Sequence, residues 1–177
     1  KHPRWLLVLP NGDVLTSEAL FEPGRVRTPF DYAMQSTMKR AAALGVSPNR
    51  VTLLRDADGD GVAERRETYI EGQRQPFGMA VIGDTFYLGN TDALMAFPYV
   101  EGATRIEGKG RRIAAFKPGG HWTRSLLPSP DLTKLYVGVG SLSNIGDEGM
   151  EAEEGRAAVW EVDLATGTAR IFAGGLR

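Results

Sequence analysis

Hydrophobic and polar positions along the chain repeat one short pattern three times: an apolar run, a tight polar turn and a second apolar run. The copies are Leu6-Leu7-Val8-Leu9 and Val14-Leu15 around Pro10-Asn11-Gly12-Asp13, then Met79 to Leu88 around Gly83-Asp84, then Leu126 to Val137 around Ser129-Pro130-Asp131. Short apolar runs bounded by turn formers predict antiparallel hairpins. The equivalent positions Leu15, Tyr87 and Tyr136 lie 72 and 49 residues apart. The longer interval holds an insertion, so the underlying period is roughly the 40 to 50 residues of a propeller blade. The expected fold is all-β, about three blades of a β-propeller in one domain spanning residues 1–177, with blade cores near 5–18, 76–99 and 121–140. Ligands of such folds bind at the end of the central channel lined by the innermost strands.

Between the first two repeats the pattern changes period. Asp31 to Leu44 reads as the one good helix: Asp31 is a cap, Met34, Met38 and Ala41 share a face, Gly45 stops it and Pro48 prevents resumption. This insertion, about 31–44, is expected to lie across the outside of the propeller. Further strands are expected at Val51 to Leu54, Glu67 to Ile70, Ala93 to Tyr99 and Arg112 to Phe116. Residues 157–163 and 168–172 form a hairpin around Ala165-Thr166-Gly167, with apolar positions Trp160, Val162, Ala169 and Ile171 alternating. The connection Gly140 to Gly155 is polar and acidic and is expected on the ligand face or rim.

Composition narrows the class. A chain of 177 residues that is 42% hydrophobic and 24% charged, with net charge -1, describes a soluble, turn-rich globule with no bulk affinity for nucleic acid. No apolar run approaches the roughly 20 residues of a membrane span, and Lys1-His2-Pro3-Arg4 leads into a strand rather than a signal peptide. Cysteine is absent, which removes disulfides, thiolate metal sites and cysteine nucleophiles.

Between two predicted strands, Asp56-Ala57-Asp58-Gly59-Asp60-Gly61 with Glu67 in the twelfth position satisfies the D-x-D-x-D-G-x5-E calcium pattern. An EF-hand needs flanking helices. With strands on both sides, two readings stand: a hairpin calcium site with ligands Asp56, Asp58, Asp60 and Glu67, or an acidic β-turn.

The run His121-Trp122-Thr123-Arg124-Ser125-Leu126-Leu127, followed by Ser129-Pro130-Asp131, Lys134-Leu135-Tyr136-Val137 and Val139-Gly140-Ser141, resembles the glucose/sorbosone dehydrogenases. So do Trp160-Glu161-Val162-Asp163 and the terminal Gly175-Leu176-Arg177. Leu53 to Gly61 and Gln75-Pro76-Phe77-Gly78-Met79 make the sorbosone branch the nearer likeness. The resemblance implies a six-bladed propeller that oxidises a sugar or sugar-derived aldehyde with pyrroloquinoline quinone (PQQ) and Ca²⁺, and a periplasmic or secreted location. The chain resembles about the first half of that catalytic domain, so a missing C-terminal half or an oligomeric partner is implied as well.

The same resemblance assigns roles. His121 is the general base, a role suited to an imidazole, whose unperturbed pKa lies near 6.5; it is expected at the start of an innermost strand. Arg177 occupies the position whose guanidinium binds the cofactor, where a planar fork can hold a carboxylate bidentately. Arg124 is either a second anion contact or a rim salt bridge, and Gln75 (or Gln73) offers an amide to cofactor or substrate. One departure is visible: Ser141 stands where the better-known glucose dehydrogenases carry an aspartate that orients the histidine. Serine cannot stabilise imidazolium by charge, so Asp147 or Glu148 would have to take over, or the base is weaker. The alternative reading is a non-catalytic propeller that serves as a binding or scaffold module, since the fold hosts many activities.

Overall fold

The computed structural model describes residues 2–23, 26, 28–143 and 149–176. Arg177, Asp147 and Glu148 lie outside the described residues. Twelve described strands form three antiparallel four-stranded sheets. The first contains β1 (Pro3–Val8), β2 (Val14–Glu18), β3 (Arg50–Arg55) and β4 (Arg65–Ile70). The second contains β5 (Met79–Ile82), β6 (Thr85–Asn90), β7 (Ala93–Pro98) and β8 (Arg111–Ala115). The third contains β9 (Leu126–Pro128), β10 (Lys134–Val139), β11 (Ala158–Asp163) and β12 (Ala169–Ala173). Each sheet is a meander in sequence order. The main contacts between sheets run through their first strands, β1 against β5 and β5 against β9.

Two apolar layers hold the sheets together. Leu15, Val51 and Leu53 of the first sheet pack on Phe86, Leu88 and Phe97 of the second. Tyr87, Leu94 and Ala96, on the opposite face of the second sheet, pack with Leu135, Val137 and Val162 of the third. Alternation along each strand sends odd and even residues to opposite faces, so the middle sheet is apolar on both. Each fully buried aliphatic or aromatic side chain contributes on the order of 1.5–3 kcal/mol by leaving water. The repeat positions keep their sense of direction: Leu15 faces the second sheet and Tyr87 faces the third. Tyr136 lies on the far face of the third sheet, its ring centroid 4.9 Å from that of Phe172.

Helix α1 (Pro29–Arg40) is shorter than its pattern implies and is capped differently. Thr28, not Asp31, is the N-cap; its hydroxyl accepts from the Asp31 amide while the Asp31 carboxylate accepts from the Thr28 amide, with Pro29 at the first helical position. It ends before Gly45, because Ala42 takes the left-handed conformation (φ 54°) and the Ala43 amide turns back to the Met38 carbonyl. No helix residue is buried. No helix among the described residues is long and apolar enough to cross a membrane.

The third repeat departs from expectation at its start. Strand β9 begins at Leu126, and residues 119–125 ahead of it are irregular chain. Consecutive positive φ angles at Gly119 and Gly120 (94° and 60°) turn this segment out of any ladder. Its far end is tied to both neighbouring sheets, the Gly78 amide donating to the Arg124 carbonyl and the Gly138 amide to the Ser125 carbonyl, each at 3.0 Å. Ile171 also differs: although it alternates correctly, it lies on the edge strand β12 and stays exposed.

Two outcomes follow. A Cβ at Gly89 would stand 2.5 Å from the Arg124 carbonyl oxygen, whereas at Gly45 its nearest neighbour would be a Leu20 methyl at 3.7 Å. Gly89→Ala is therefore expected to cost roughly 2–3 kcal/mol in urea melts, with Gly45→Ala close to neutral. The second concerns Asp13, whose carboxylate is buried and receives both Nε and Nη2 of Arg55, at 2.7 and 2.6 Å. This fork holds the Asp13 pKa below its ordinary 3.8. A depressed carboxylate contributes stability that is complete above the unfolded value and lost as pH falls through the folded one. Asp13→Asn should thus destabilise at neutral pH, and the difference from the parent should shrink as melts are repeated below pH 3.8.

Candidate functional site

In an uncrossed meander every second connection returns to the same end of the sheets. Connections β2–β3, β4–β5, β6–β7, β8–β9 and β10–β11 therefore share one end, and β1–β2, β3–β4, β5–β6, β7–β8, β9–β10 and β11–β12 share the other. At the first end two adjoining hollows, of about 320 and 470 Å³, share Phe21, Gly120, Trp122 and Leu142 as walls. His121 and Thr123 line one and Arg74 and Gln75 the other. The topology thus brings together His121 and Gln75, singled out by sequence from different repeats.

The His121 imidazole is exposed to the hollow, while its backbone is fixed. The His121 amide donates to the Ser141 carbonyl at 2.9 Å. Gly140 permits this approach, because a Cβ there would stand 2.5 Å from the His121 Cβ. Ser141 therefore does hold the histidine, but through its carbonyl; its hydroxyl donates to the Ser143 carbonyl. Among the described residues no carboxylate bonds the His121 ring. The side chain of Glu153 instead accepts from the Leu142 and Ser143 amides, at 2.9 to 3.4 Å, and fixes the facing wall.

Trp122 is nearly buried and stands at the end of an aromatic row that runs from β1 across the segments leading into β5 and β9. Its ring meets Phe77 edge-on at 6.2 Å, and Phe77 meets Trp5 at 5.2 Å. The Arg4 guanidinium lies 5.6 Å over the Trp122 ring, a cation–π contact.

Arg124 is neither at a rim nor in a salt bridge among the described residues. It is fully buried, and its guanidinium donates to the carbonyls of Lys117, His121 and Thr123. Burial, with a smaller push from nearby Arg156, lowers its pKa to about 10. Arg156 is buried too and donates to the carbonyls of Lys117, Pro118 and Gly119; burial lowers its pKa as well. Gln75 is likewise committed to the protein, its amide donating to the Leu20 carbonyl at 3.1 Å while its backbone holds a positive φ of 46°. Of the described candidates, His121 alone thus presents a side chain that no protein group occupies. Arg156 and Glu153 were not singled out in advance: they sit in a run of small and acidic residues whose partners are 10 to 39 positions away.

The acidic loop belongs to the other end, at the β3–β4 turn. Asp56, Asp58, Asp60 and Glu64 bring one carboxylate oxygen each within 4.8 Å of one another, all of them exposed. The fourth acid is Glu64, not Glu67. Strand β4 starts at Arg65, so Glu67 is drawn into the sheet, opposite Leu53 and beside Arg65. These carboxylates already accept backbone amides: Gly59 and Gly61 on Asp56, Asp60 on Asp58, Val62 on Asp60, and Ala57 on Glu64. The amide of Gly61 foremost holds the Asp56 pKa below its ordinary value.

The sequence matches a family model described as TrAA12-like over residues 43–174. Among solved structures, the holo form of the pyranose dehydrogenase PQQ domain from Coprinopsis cinerea is similar at 18% identity and TM-score 0.65, over 93% of this chain and 34% of that one. The calcium structure of the Trichoderma reesei carbohydrate-active enzyme of family AA12 is similar at 20% identity and TM-score 0.63, over 93% and 36%. The PQQ-bound aldose sugar dehydrogenase from Streptomyces coelicolor is similar at 16% identity and TM-score 0.55, over 93% and 45%. At such identities the likeness establishes a shared fold, and the chain spans between a third and a half of each of those structures. No curated protein matches the sequence.

The geometry of the acidic loop separates two acids that the calcium pattern treats together. A divalent cation taken up there should be weakened by Glu64→Gln and indifferent to Glu67→Gln in calcium titration calorimetry. A loss confined to Glu67→Gln would restore the twelfth position as ligand.

Proposed function

Because the chain belongs to the TrAA12-like family, we propose that it is part of a PQQ-dependent sugar dehydrogenase, an oxidoreductase in which His121 is the general base. The observation that carries this reading is the exposed imidazole held by its backbone in a hollow walled by Trp122 and Phe21, at the end where the first strands of all three sheets meet. The same proposal has the sheets continue as blades of a closed ring. It is supported by the repeated facing of Leu15, Tyr87 and Tyr136, and by Leu6 and Val8 on one outer sheet and Leu127 and Phe172 on the other, which stay exposed.

The hollow fits the cofactor's chemistry. A planar polycarboxylate needs a flat apolar wall, hydrogen-bond donors and positive potential. Trp122 supplies the first and Thr123, which lines the hollow, the second. The two buried guanidiniums of Arg124 and Arg156 behind the wall supply the third, whereas Arg74 is paired with Asp92 at 3.1 Å. Bound PQQ would supply the hydride acceptor. The chain's own part is acid–base: a neutral imidazole accepts the proton of the sugar hydroxyl while hydride leaves the adjoining carbon, so that a carbonyl forms. The aromatic wall excludes water from that side. Arg177 keeps its proposed cofactor contact from the family resemblance. The sorbosone branch rests on the runs Leu53 to Gly61 and Gln75 to Met79 and is the finer part of the proposal.

The complete protein, supplied with PQQ and Ca²⁺, is expected to reduce an artificial dye in the presence of sorbosone or an aldose. His121→Ala should lower kcat by about 10²- to 10⁴-fold while leaving PQQ uptake, followed by its absorbance, in place. Uptake of PQQ without sugar-dependent reduction, or no uptake at all, would leave a non-catalytic binding module as the function.

A further inference from the structure

Residues 117–123 carry the exposed imidazole yet belong to no sheet, so their carbonyl groups need donors from elsewhere. Two arginines provide them. Arg124 Nη1 donates to the His121 and Thr123 carbonyls and its Nη2 to the Lys117 carbonyl, each at 3.0 Å. Arg156 Nη1 donates to Gly119 at 3.1 Å, and its Nη2 to Lys117 at 3.1 Å and to Pro118. Five carbonyls of one short segment are thus taken by two guanidiniums, which meet on the Lys117 oxygen. Neither arginine has an ion pair among the described residues.

Burying two like charges side by side is expensive, and here it is offset by five carbonyls that would otherwise lack donors. What the arrangement fixes follows from where the two side chains come from. Arg124 closes the segment from its own C-terminal end, where its carbonyl is tied to Gly78. Arg156 comes from the β10–β11 connection, whose other residues, Leu142 and Ser143, form the opposite wall of the hollow and are fixed by Glu153. Arg156 thereby spans both walls. Without it, Gly119 and Gly120, both at positive φ and of the residue type that loses most entropy on ordering, would leave the histidine on a mobile segment.

We propose that Arg124 and Arg156 form a guanidinium clamp that positions His121, with Arg156 coupling the place of the imidazole to the facing wall. This rests on the reading of His121 as base for its consequence in catalysis, but not for its geometry. It also replaces the expected role of Arg124 as an anion contact. A planar fork is required, because the donors must reach several carbonyls at fixed angles; a lysine ammonium is a compact charge without that shape.

The test uses the complete protein with Arg156→Met, Arg156→Lys and Arg156→Gln, and reads the histidine ring resonances by NMR. His121 and His2 are the two histidines of this sequence; His121→Gln, which removes one signal, assigns the His121 resonance, and His2 is an internal reference. Expected are a displaced or broadened His121 signal with His2 unmoved, and faster hydrogen exchange at the His121 amide. Dye reduction should show a kcat lowered on the order of 10- to 100-fold with KM little changed, and lysine should not rescue. If Arg156→Met does not fold, the lysine and glutamine variants carry the comparison. An unmoved His121 signal in the folded variants, or full restoration by lysine, overturns the clamp. The ring and exchange readouts need neither PQQ nor sugar. A parent protein that oxidises no sugar but whose His121 responds to Arg156 would refute the proposed function and keep the clamp; an active parent with an unresponsive His121 would do the reverse.

Discussion

The close approach of backbone to backbone between the second and third sheets is the constraint from which the rest of the site follows. Gly78 and Gly89 lack the Cβ that would strike the Arg124 carbonyl, so the chain entering β9 lies directly on the second sheet and bonds to it. With that end anchored, the preceding segment is held over the hollow and its carbonyls come within reach of Arg124 and Arg156. The turn at Gly119 and Gly120 then brings His121 against Ser141, where a third glycine, Gly140, leaves room for it. Each step is a short-range steric permission, and together they set the imidazole between two walls.

Charge is used differently at the two ends of the sheets. At the turn end and along the strands, buried carboxylates are matched by arginine or lysine: Asp13 with Arg55, Glu18 with Arg50 and Arg66, Glu161 with Lys134 and Arg170. These pairs reach from one strand or turn to other strands of the same sheet and satisfy carboxylates that would otherwise be buried unpaired. At the hollow, by contrast, Arg124 and Arg156 are offset by carbonyl dipoles and carry no ion pair among the described residues, which leaves positive potential behind the site. The acidic loop, with its four converging carboxylates, lies at the opposite end and serves a different part of the molecule.

Much of the sequence resemblance turns out to describe turns. Ser129 bonds Asp131 and Lys134 to close the β9–β10 hairpin, and Asp163 accepts from Ala165 and Thr166 to close β11–β12. These positions are recognisable because their chemistry is local, within five residues. His121 was legible from its flanks. Glu153, Arg156 and the committed role of Arg124 were not, since their partners are distant in sequence and joined only by the meander. The exchange of Glu67 for Glu64 has the same character: the pattern counts residues, but the onset of β4 decides which carboxylate stays in the loop.

The order of apolar and polar positions was enough to specify three hairpin-based sheets, their equivalent positions and the exposed helical insertion, because alternation and turn chemistry act over a few residues. The imidazole was singled out by the family resemblance of its flanks, not by that order. What the chain order alone leaves open is which connections share an end, which guanidiniums spend their donors on carbonyls, and which face each wall of the hollow presents. Those depend on contacts between segments tens of residues apart, where a missing Cβ or one shared carbonyl oxygen settles the outcome, and they exist only once the sheets have packed.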